Sequence, residues 1–171
     1  EEMLKVMHKD IRRVHFHSPV QGRMIPLEEV PDPIFAQKIV GNGVAFYPER
    51  GELVSPVAGK VVNVYPTKHA LGLRTEEGLE VLLHIGIDTS HLPESWFQAN
   101  VKEGDDVIPG QTLVRFDLQK IKKHAKSTAV PMVITNPDRV KSWAFAPYKN
   151  VKKGQASVMS VIIKEGGEAI S

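Results

Sequence analysis

Two histidines, His69 and His84, lie in apolar-rich runs on either side of the short polar insert 75–78. This pattern predicts a β-hairpin, and a two-residue loop would place the two histidines directly opposite each other with Cβ atoms about 5 Å apart. If Gly78 instead forms a bulge, the pairing shifts by one residue and the rings still meet diagonally. The sequence therefore predicts two imidazoles that meet across neighbouring strands.

An imidazole pair on a leucine-rich surface supports two kinds of chemistry. Burial disfavours the charged form of each ring and two cations repel, so we expect at least one unprotonated nitrogen near pH 7. That nitrogen can attack a phosphoryl group, with His84 as the nucleophile and His69 as a hydrogen-bond donor to a phosphoryl oxygen. It can also bind zinc, with Asp88 or His91 completing the ligand set. The residues alone leave both readings open.

Composition limits the function classes. The chain has 171 residues, of which 42% are hydrophobic and 25% charged, with a net charge of +2. This balance is typical of a globular protein and does not indicate a nucleic-acid binder. There is no cysteine, which excludes disulfides, thiolate zinc sites and thiol catalysis. No apolar run approaches the roughly 20 residues of a membrane-spanning helix.

The chain divides into a tail and one domain. Apolar residues at helical spacing in residues 1–13 predict a tail or linker that can form an amphipathic helix. Residues 14–171 show short apolar runs separated by Gly, Pro and Asp, which predicts an all-β domain, an antiparallel sandwich or barrel. One helix is predicted at Leu118–His124, after the N-cap Asp117, and a second short one within Asp32–Ile39.

The predicted strands are Val14–His17, Gly22–Pro26, Val44–Pro48, Glu52–Ser55, Gly59–Tyr65, His69–Thr75, Leu79–Ile85, Asp105–Val107, Thr112–Asp117, Val130–Thr135, Trp143–Pro147 and Ser157–Lys164. Two segments repeat the pattern Ser-Pro-Val-x-Gly-basic-apolar-apolar, one starting at Ser18 and the other at Ser55. This repeat indicates a duplicated β motif.

Several motifs together resemble a known family. They are Thr67-Lys68-His69-Ala70, Leu83-His84-Ile85-Gly86-Ile87-Asp88-Thr89, Val30-Pro31-Asp32-Pro33-Ile34-Phe35-Ala36, Lys38-Ile39-Val40-Gly41-Asn42-Gly43-Val44-Ala45, Ser55-Pro56-Val57-Ala58-Gly59 and Phe116-Asp117-Leu118. Taken in their order along the chain, over residues 14–164, they are similar to the glucose-type enzyme IIA of the bacterial phosphoenolpyruvate-dependent sugar phosphotransferase system. The resemblance implies an antiparallel β-sandwich and a phosphocarrier, a transferase that works without a cofactor or a required metal.

The resemblance also implies roles for individual residues. His84 matches the phosphorylated histidine, which reacts through Nε2, His69 matches the imidazole that stabilises the phosphoryl group, and Thr67 matches a threonine that organises the pair. The donor would be the phosphohistidine of HPr and the acceptor a cysteine of a IIB domain, in the cytoplasm or beside a permease at the membrane. The implied docking surface comprises Asp32, Phe35, Ile39, Val40, Tyr65, Leu82 and Asp88.

The sequence departs from the family pattern beside the motif. The segment Glu94-Ser95-Trp96-Phe97 stands where the family usually has Gly-Glu-Gly-Phe, so a different loop is expected there. Two alternatives accompany the carrier reading. One is a IIA-like regulatory domain whose phosphorylation state controls a sugar transporter or a kinase, and the other is a zinc-dependent hydrolase.

Overall fold

The computed structural model describes residues 12–165, which form fourteen β-strands and two short α-helices. The helices are α1 (Pro33–Ala36) and α2 (Leu118–His124). The strands are β1 (Arg13–Phe16), β2 (Gly22–Pro26), β3 (Asn42–Pro48), β4 (Glu52–Val54), β5 (Gly59–Val64), β6 (Ala70–Arg74), β7 (Glu80–His84), β8 (Phe97–Ala99), β9 (Asp106–Val107), β10 (Thr112–Phe116), β11 (Val130–Ile134), β12 (Val140–Phe145), β13 (Asn150–Val151) and β14 (Met159–Ile163).

The strands form three antiparallel sheets. The largest has the order β13-β2-β3-β11-β7-β6-β5-β9, and the two three-stranded sheets have the orders β1-β14-β12 and β4-β10-β8. Buried side chains from all three sheets form one continuous apolar cluster, including Phe16, Phe46, Leu53 and Leu83. The large sheet thus packs against the small ones as the predicted β-sandwich, and its burial is the main source of stability.

The other face of the large sheet carries a smaller apolar cluster around α1. Its members are Ile25, Leu27, Val30, Phe35, Ala45, Ile87, Ala129 and Val133. Side chains alternate between the two faces along a strand, so Leu83 points into the main core while Leu82 packs against the small cluster. Strand β7, which carries His84, is therefore covered on both faces.

The duplicated motif is visible in the hydrogen bonds. Ser18 and Ser55 are both fully buried, and each hydroxyl donates to the carbonyl two residues later, at 2.6 Å and 2.7 Å. Each repeat then leads into a strand that pairs with a two-residue strand, β2 with β13 and β5 with β9. The repeat of the sequence is thus a repeat of the structure.

The predicted elements agree with the structure with a few exceptions. All twelve predicted strands overlap observed ones, and α2 with its N-cap Asp117 is observed as predicted, because the Asp117 carboxylate accepts from the Lys120 amide at 3.1 Å. Strands β8, of three residues, and β13, of two, were not predicted. The predicted tail, residues 1–13, lies outside the described residues except for Arg12 and Arg13, and Arg13 begins β1.

The hairpin of β6 and β7 has the bulged register. Thr75 pairs with Leu79 across a loop that ends at Gly78, which has a φ of +93° suited to glycine. His84 therefore lies opposite Ala70, and the prediction that His69 is its direct partner is wrong. Leu71 faces Leu83 in the core.

Candidate functional site

The two histidine rings meet at the end of the hairpin. His84 is the last residue of β7, and His69 lies one residue before β6 begins. The Ile85 amide donates to the His69 carbonyl at 2.7 Å, which holds the two chain segments together beyond the strands. The ring centroids are 4.9 Å apart and the ring planes meet at 80°. The predicted contact between the imidazoles is present, although a loop residue makes it.

A hydrogen bond fixes the tautomer of His84. Its Nδ1–H donates to the Gly86 carbonyl at 2.7 Å, so the Nε2 of the neutral ring carries the free lone pair. Gly86 has a φ of +74°, and a Cβ at this position would lie 2.7 Å from Cγ2 of Thr89. The Thr89 hydroxyl, fully buried, donates to the Ile85 carbonyl at 2.7 Å and closes the same turn. The turn after β7 therefore orients the ring and requires glycine.

Both rings are set to be neutral at pH 7. His69 is 6% exposed, and burial first and the charge of His84 second lower its pKa from 6.5 to about 4. Burial also lowers the pKa of the half-buried His84, against the opposing effects of the Gly86 carbonyl and of Asp32. A neutral imidazole with an unprotonated Nε2 is a nucleophile, so this pair can react with an electrophile.

Three side chains contact the imidazoles. The Thr67 hydroxyl is hydrogen-bonded to Nδ1 of His69, and the Tyr65 ring lies edge-on to His69 with a centroid distance of 5.7 Å. The Phe35 ring lies edge-on to His84 at 5.3 Å. Thr67 and Tyr65 come from the loop before β6, and Phe35 comes from α1. The two imidazoles are thus surrounded mainly by aromatic and apolar side chains.

The remaining predicted surface residues have different exposures. Asp32 is the N-cap of α1, where its carboxylate accepts from the Ile34 amide at 2.9 Å, and its charge acts on His84. Val40 and Leu82 are partly buried against the small cluster that contains Phe35. Ile39 is 67% exposed in the turn after α1. Val40 and Leu82 thus extend the small apolar cluster toward the surface, and the exposed Ile39 is the chain neighbour of Val40.

The predicted zinc ligand set does not assemble. Within residues 12–165, no three His, Cys, Asp or Glu side chains are grouped so that they could hold a metal ion. Asp88 and His91, the hypothesised third ligands, point into solvent and pair with each other, with Nδ1 of His91 3.8 Å from the carboxylate. Residues 12–165 also include no helix that is long and apolar enough to cross a membrane.

The loop that departs from the family pattern is ordered by local contacts. Glu94–Trp96 forms a single 3-10 turn that leads into β8. The Trp96 ring packs on α2, 5.3 Å from the His124 ring and 5.7 Å from Nζ of Lys120. The Glu94 carboxylate lies 3.0 Å from Nζ of Lys68, the residue before His69. Trp96 and Glu94 thus tie this loop both to α2 and to the histidine loop.

The sequence alone did not identify every residue of the site. The Gly86 carbonyl was missed, although a glycine two residues after a strand-ending histidine is a signal for such a turn. Lys68 and Glu94 were missed because an ion pair between two loops leaves no periodic pattern in the sequence. These contacts depend on the tertiary arrangement of the loops.

Comparisons with known proteins agree on one family. The family model described as phosphoenolpyruvate-dependent sugar phosphotransferase system, EIIA 1, matches residues 14–140. A PTS system glucose-specific EIIA component of Staphylococcus epidermidis is 44% identical over 152 residues, covering 89% of this chain and 92% of the relative. One from Staphylococcus aureus is 45% identical over 157 residues, covering 92% and 93%. The solved glucose permease IIA from Mycoplasma capricolum matches with a TM-score of 0.80 and 34% identity, covering 86% of this chain and 95% of that one.

Proposed function

Because the chain belongs to the EIIA 1 family of the phosphoenolpyruvate-dependent sugar phosphotransferase system and is a phosphocarrier of that system, we propose that it carries the phosphoryl group on Nε2 of His84. The observation that supports this assignment is the hydrogen bond from Nδ1 of His84 to the Gly86 carbonyl. It leaves Nε2 as the nitrogen with a lone pair, beside a second neutral imidazole.

The proposed step is a direct displacement at phosphorus. The Nε2 lone pair of His84 forms the new P–N bond while the bond between phosphorus and the donor nitrogen breaks, and the donor imidazole leaves with that electron pair. The Thr67 hydroxyl, by donating to Nδ1 of His69, would keep the His69 proton on Nε2. That N–H can then donate to a phosphoryl oxygen, which stabilises the transferring charge.

We further propose that the donor is the phosphohistidine of HPr and that the acceptor is the cysteine of a IIB domain. The exposed Ile39 and Tyr65, with the partly buried Val40 and Leu82, form an apolar docking surface around the imidazoles. Such a surface excludes water from a labile P–N bond during a brief encounter. The carboxylate of Asp32, whose charge acts on His84, and the exposed carboxylate of Asp88 would favour partners with basic residues. The names of the relatives point to a IIB domain of the glucose type.

The test is phosphorylation with phosphoenolpyruvate, enzyme I and HPr. We expect one acid-labile, base-stable phosphoryl group per chain on the wild type and none on His84→Ala. His91→Ala is the matched control, because His91 is exposed and lies in the same stretch of chain. Phosphorus–proton NMR correlation should place the phosphoryl group on Nε2. Equal labelling of His84→Ala, or a phosphoryl group on Nδ1, would contradict the assignment.

A further inference from the structure

Lys68, directly before His69, has a backbone conformation that is uncommon for its residue type. Its φ is +62°, in the left-handed region, where an L-residue other than glycine is disfavoured by about 1 to 2 kcal/mol. The other non-glycine residues with positive φ among residues 12–165 are Lys38, Asp88 and Ser157. Strained backbone in functional loops persists only where the surrounding structure holds it.

The left-handed residue changes the direction in which His69 points. Residues 71 and 73 of β6 are fully buried in the main core, and in a continued strand residue 69 would point to that same face. His84 lies on the opposite face, where its ring contacts Phe35 of the small cluster. A break in the strand immediately before β6 is therefore needed for the two rings to meet.

Backbone hydrogen bonds hold this break in a tight turn. The Lys68 amide donates to the Tyr65 carbonyl at 2.7 Å, and the Tyr65 amide donates to the Ala70 carbonyl at 3.0 Å. The carbonyl of His69, the next residue, accepts from the Ile85 amide at 2.7 Å, so the chain is hydrogen-bonded to the segment that follows β7 directly after the turn. The turn leaves residue 68 as its only residue with positive φ.

The side chain of Lys68 is held as well. Its Nζ lies 3.0 Å from the Glu94 carboxylate, and the chain at Glu94 is fixed because Trp96 packs on α2 and its carbonyl accepts from the Asp117 amide at 2.9 Å. The two ion-pair side chains are 37% and 59% exposed, so the pair itself contributes little to overall stability. Its effect is to restrict the histidine loop relative to the neighbouring loop.

We propose that Lys68 is a positioning residue for His69, acting through its left-handed backbone and, more weakly, through its ion pair with Glu94. The proposal rests on the proposed function, because positioning matters only if His69 assists transfer to His84. It does not place Lys68 in contact with the phosphoryl group.

The experiment separates backbone from side chain. Lys68→Val disfavours the left-handed conformation and removes the ion pair, whereas Lys68→Gly removes only the ion pair because glycine adopts positive φ freely. Glu94→Gln removes the ion pair and leaves Lys68 in place. Two properties are measured for each: the rate of phosphoryl transfer from phosphorylated HPr at low salt, and the pKa of His69 from an NMR titration of the unphosphorylated protein.

We expect Lys68→Val to transfer about tenfold more slowly, and Lys68→Gly and Glu94→Gln to differ from wild type by about twofold or less. The His69 pKa, about 4 in the wild type, should rise in Lys68→Val as the ring leaves its buried position, and should change little in the other two. Should Lys68→Val not fold, Lys68→Ala replaces it, with the same comparison to Lys68→Gly.

A valine variant with wild-type transfer overturns the proposal, because Lys68 then does not affect transfer. Slower transfer with an unchanged His69 pKa overturns it as well, because the ring has then not moved. The pKa measurement needs no phosphoryl transfer. A shifted His69 pKa therefore supports the positioning even if His84→Ala shows that the proposed function is wrong, and the two failures can be told apart.

Discussion

Replacing His69 with glutamine should make the stability of the protein less sensitive to acid. The pKa of His69 is lowered from 6.5 to about 4, by burial first and by the charge of His84 second. A group whose pKa is lower in the folded than in the unfolded state contributes its full stabilisation at pH values above its unfolded-state pKa. That stability is lost as the pH falls through the folded value. For His69 the window runs from 6.5 down to about 4.

The size of the effect follows from the shift. It corresponds to about 3 kcal/mol in total, and roughly 2 kcal/mol should disappear between about pH 7 and pH 4.5. His69 is only 6% exposed, so solvent screening removes little of this. Stopping at about pH 4.5 keeps most carboxylates ionised, which separates the histidine effect from ordinary acid unfolding.

The measurement is urea unfolding of the wild type, His69→Gln and His91→Gln at these two pH values. The wild type should lose about 2 kcal/mol more of its free energy of unfolding than His69→Gln over the interval, while His91→Gln, which changes an exposed ring, should follow the wild type. If His69→Gln loses as much stability as the wild type, His69 is not the neutral buried group described above.

Two further predictions concern hydrogen bonds at and away from the site. Thr67→Val removes the hydroxyl bonded to Nδ1 of the buried His69, so phosphoryl transfer from phosphorylated HPr should slow about tenfold. Thr67→Ser keeps a hydroxyl and should transfer at nearly the wild-type rate. Equal rates for the wild type and both variants would mean that Thr67 has no role in transfer. Glu52 bonds Lys153 at 2.8 Å and Thr112 at 2.7 Å, in that order the main causes of its lowered pKa. Glu52→Gln should therefore lower the free energy of unfolding by about 1 to 2 kcal/mol near pH 7, a difference that fades as the pH falls through the lowered pKa because this stabilisation needs the carboxylate. Urea unfolding near pH 7 and in acid measures this difference, with Glu103→Gln, which changes an exposed residue, as the control. A difference that persists in acid would refute the role given to the Glu52 carboxylate.

Sequence reasoning predicted the sandwich because its evidence is local. Short apolar runs between Gly, Pro and Asp mark the strands, and the repeated Ser-Pro-Val pattern marks the duplication that the buried Ser18 and Ser55 display. The sequence left two registers open for the hairpin, because a two-residue loop and a three-residue loop ending in glycine are both compatible with residues 75–78. The choice between them depended on whether Gly78 takes a positive φ, and it does.

The sequence predicted that His69 and His84 meet, but not how the chain brings the two rings together. His69 and His84 were found because both lie in apolar runs, and Thr67 because of the motif that contains it. The sequence did not show that His69 lies outside the strand, because strand parity from Leu71 would place it on the core face. Its position depends on the left-handed Lys68, on the backbone hydrogen bonds of the turn and on the contact between Lys68 and Glu94, which the sequence pattern does not reveal.

The buried pair also explains how one geometry can serve both states of a carrier. In the unphosphorylated protein, burial first and a charge on His84 second lower the pKa of His69, and burial lowers the pKa of His84, so both rings favour the neutral form. A phosphoryl group on His84 would bring close to two negative charges to the same neighbour, which reverses the sign of that interaction and raises the pKa of His69. His69 would then gain a proton more easily and could stabilise the group, while its burial would continue to oppose the charge. If His84 carries the phosphoryl group as proposed, these opposing effects would limit the stability of the phosphorylated state and so favour onward transfer.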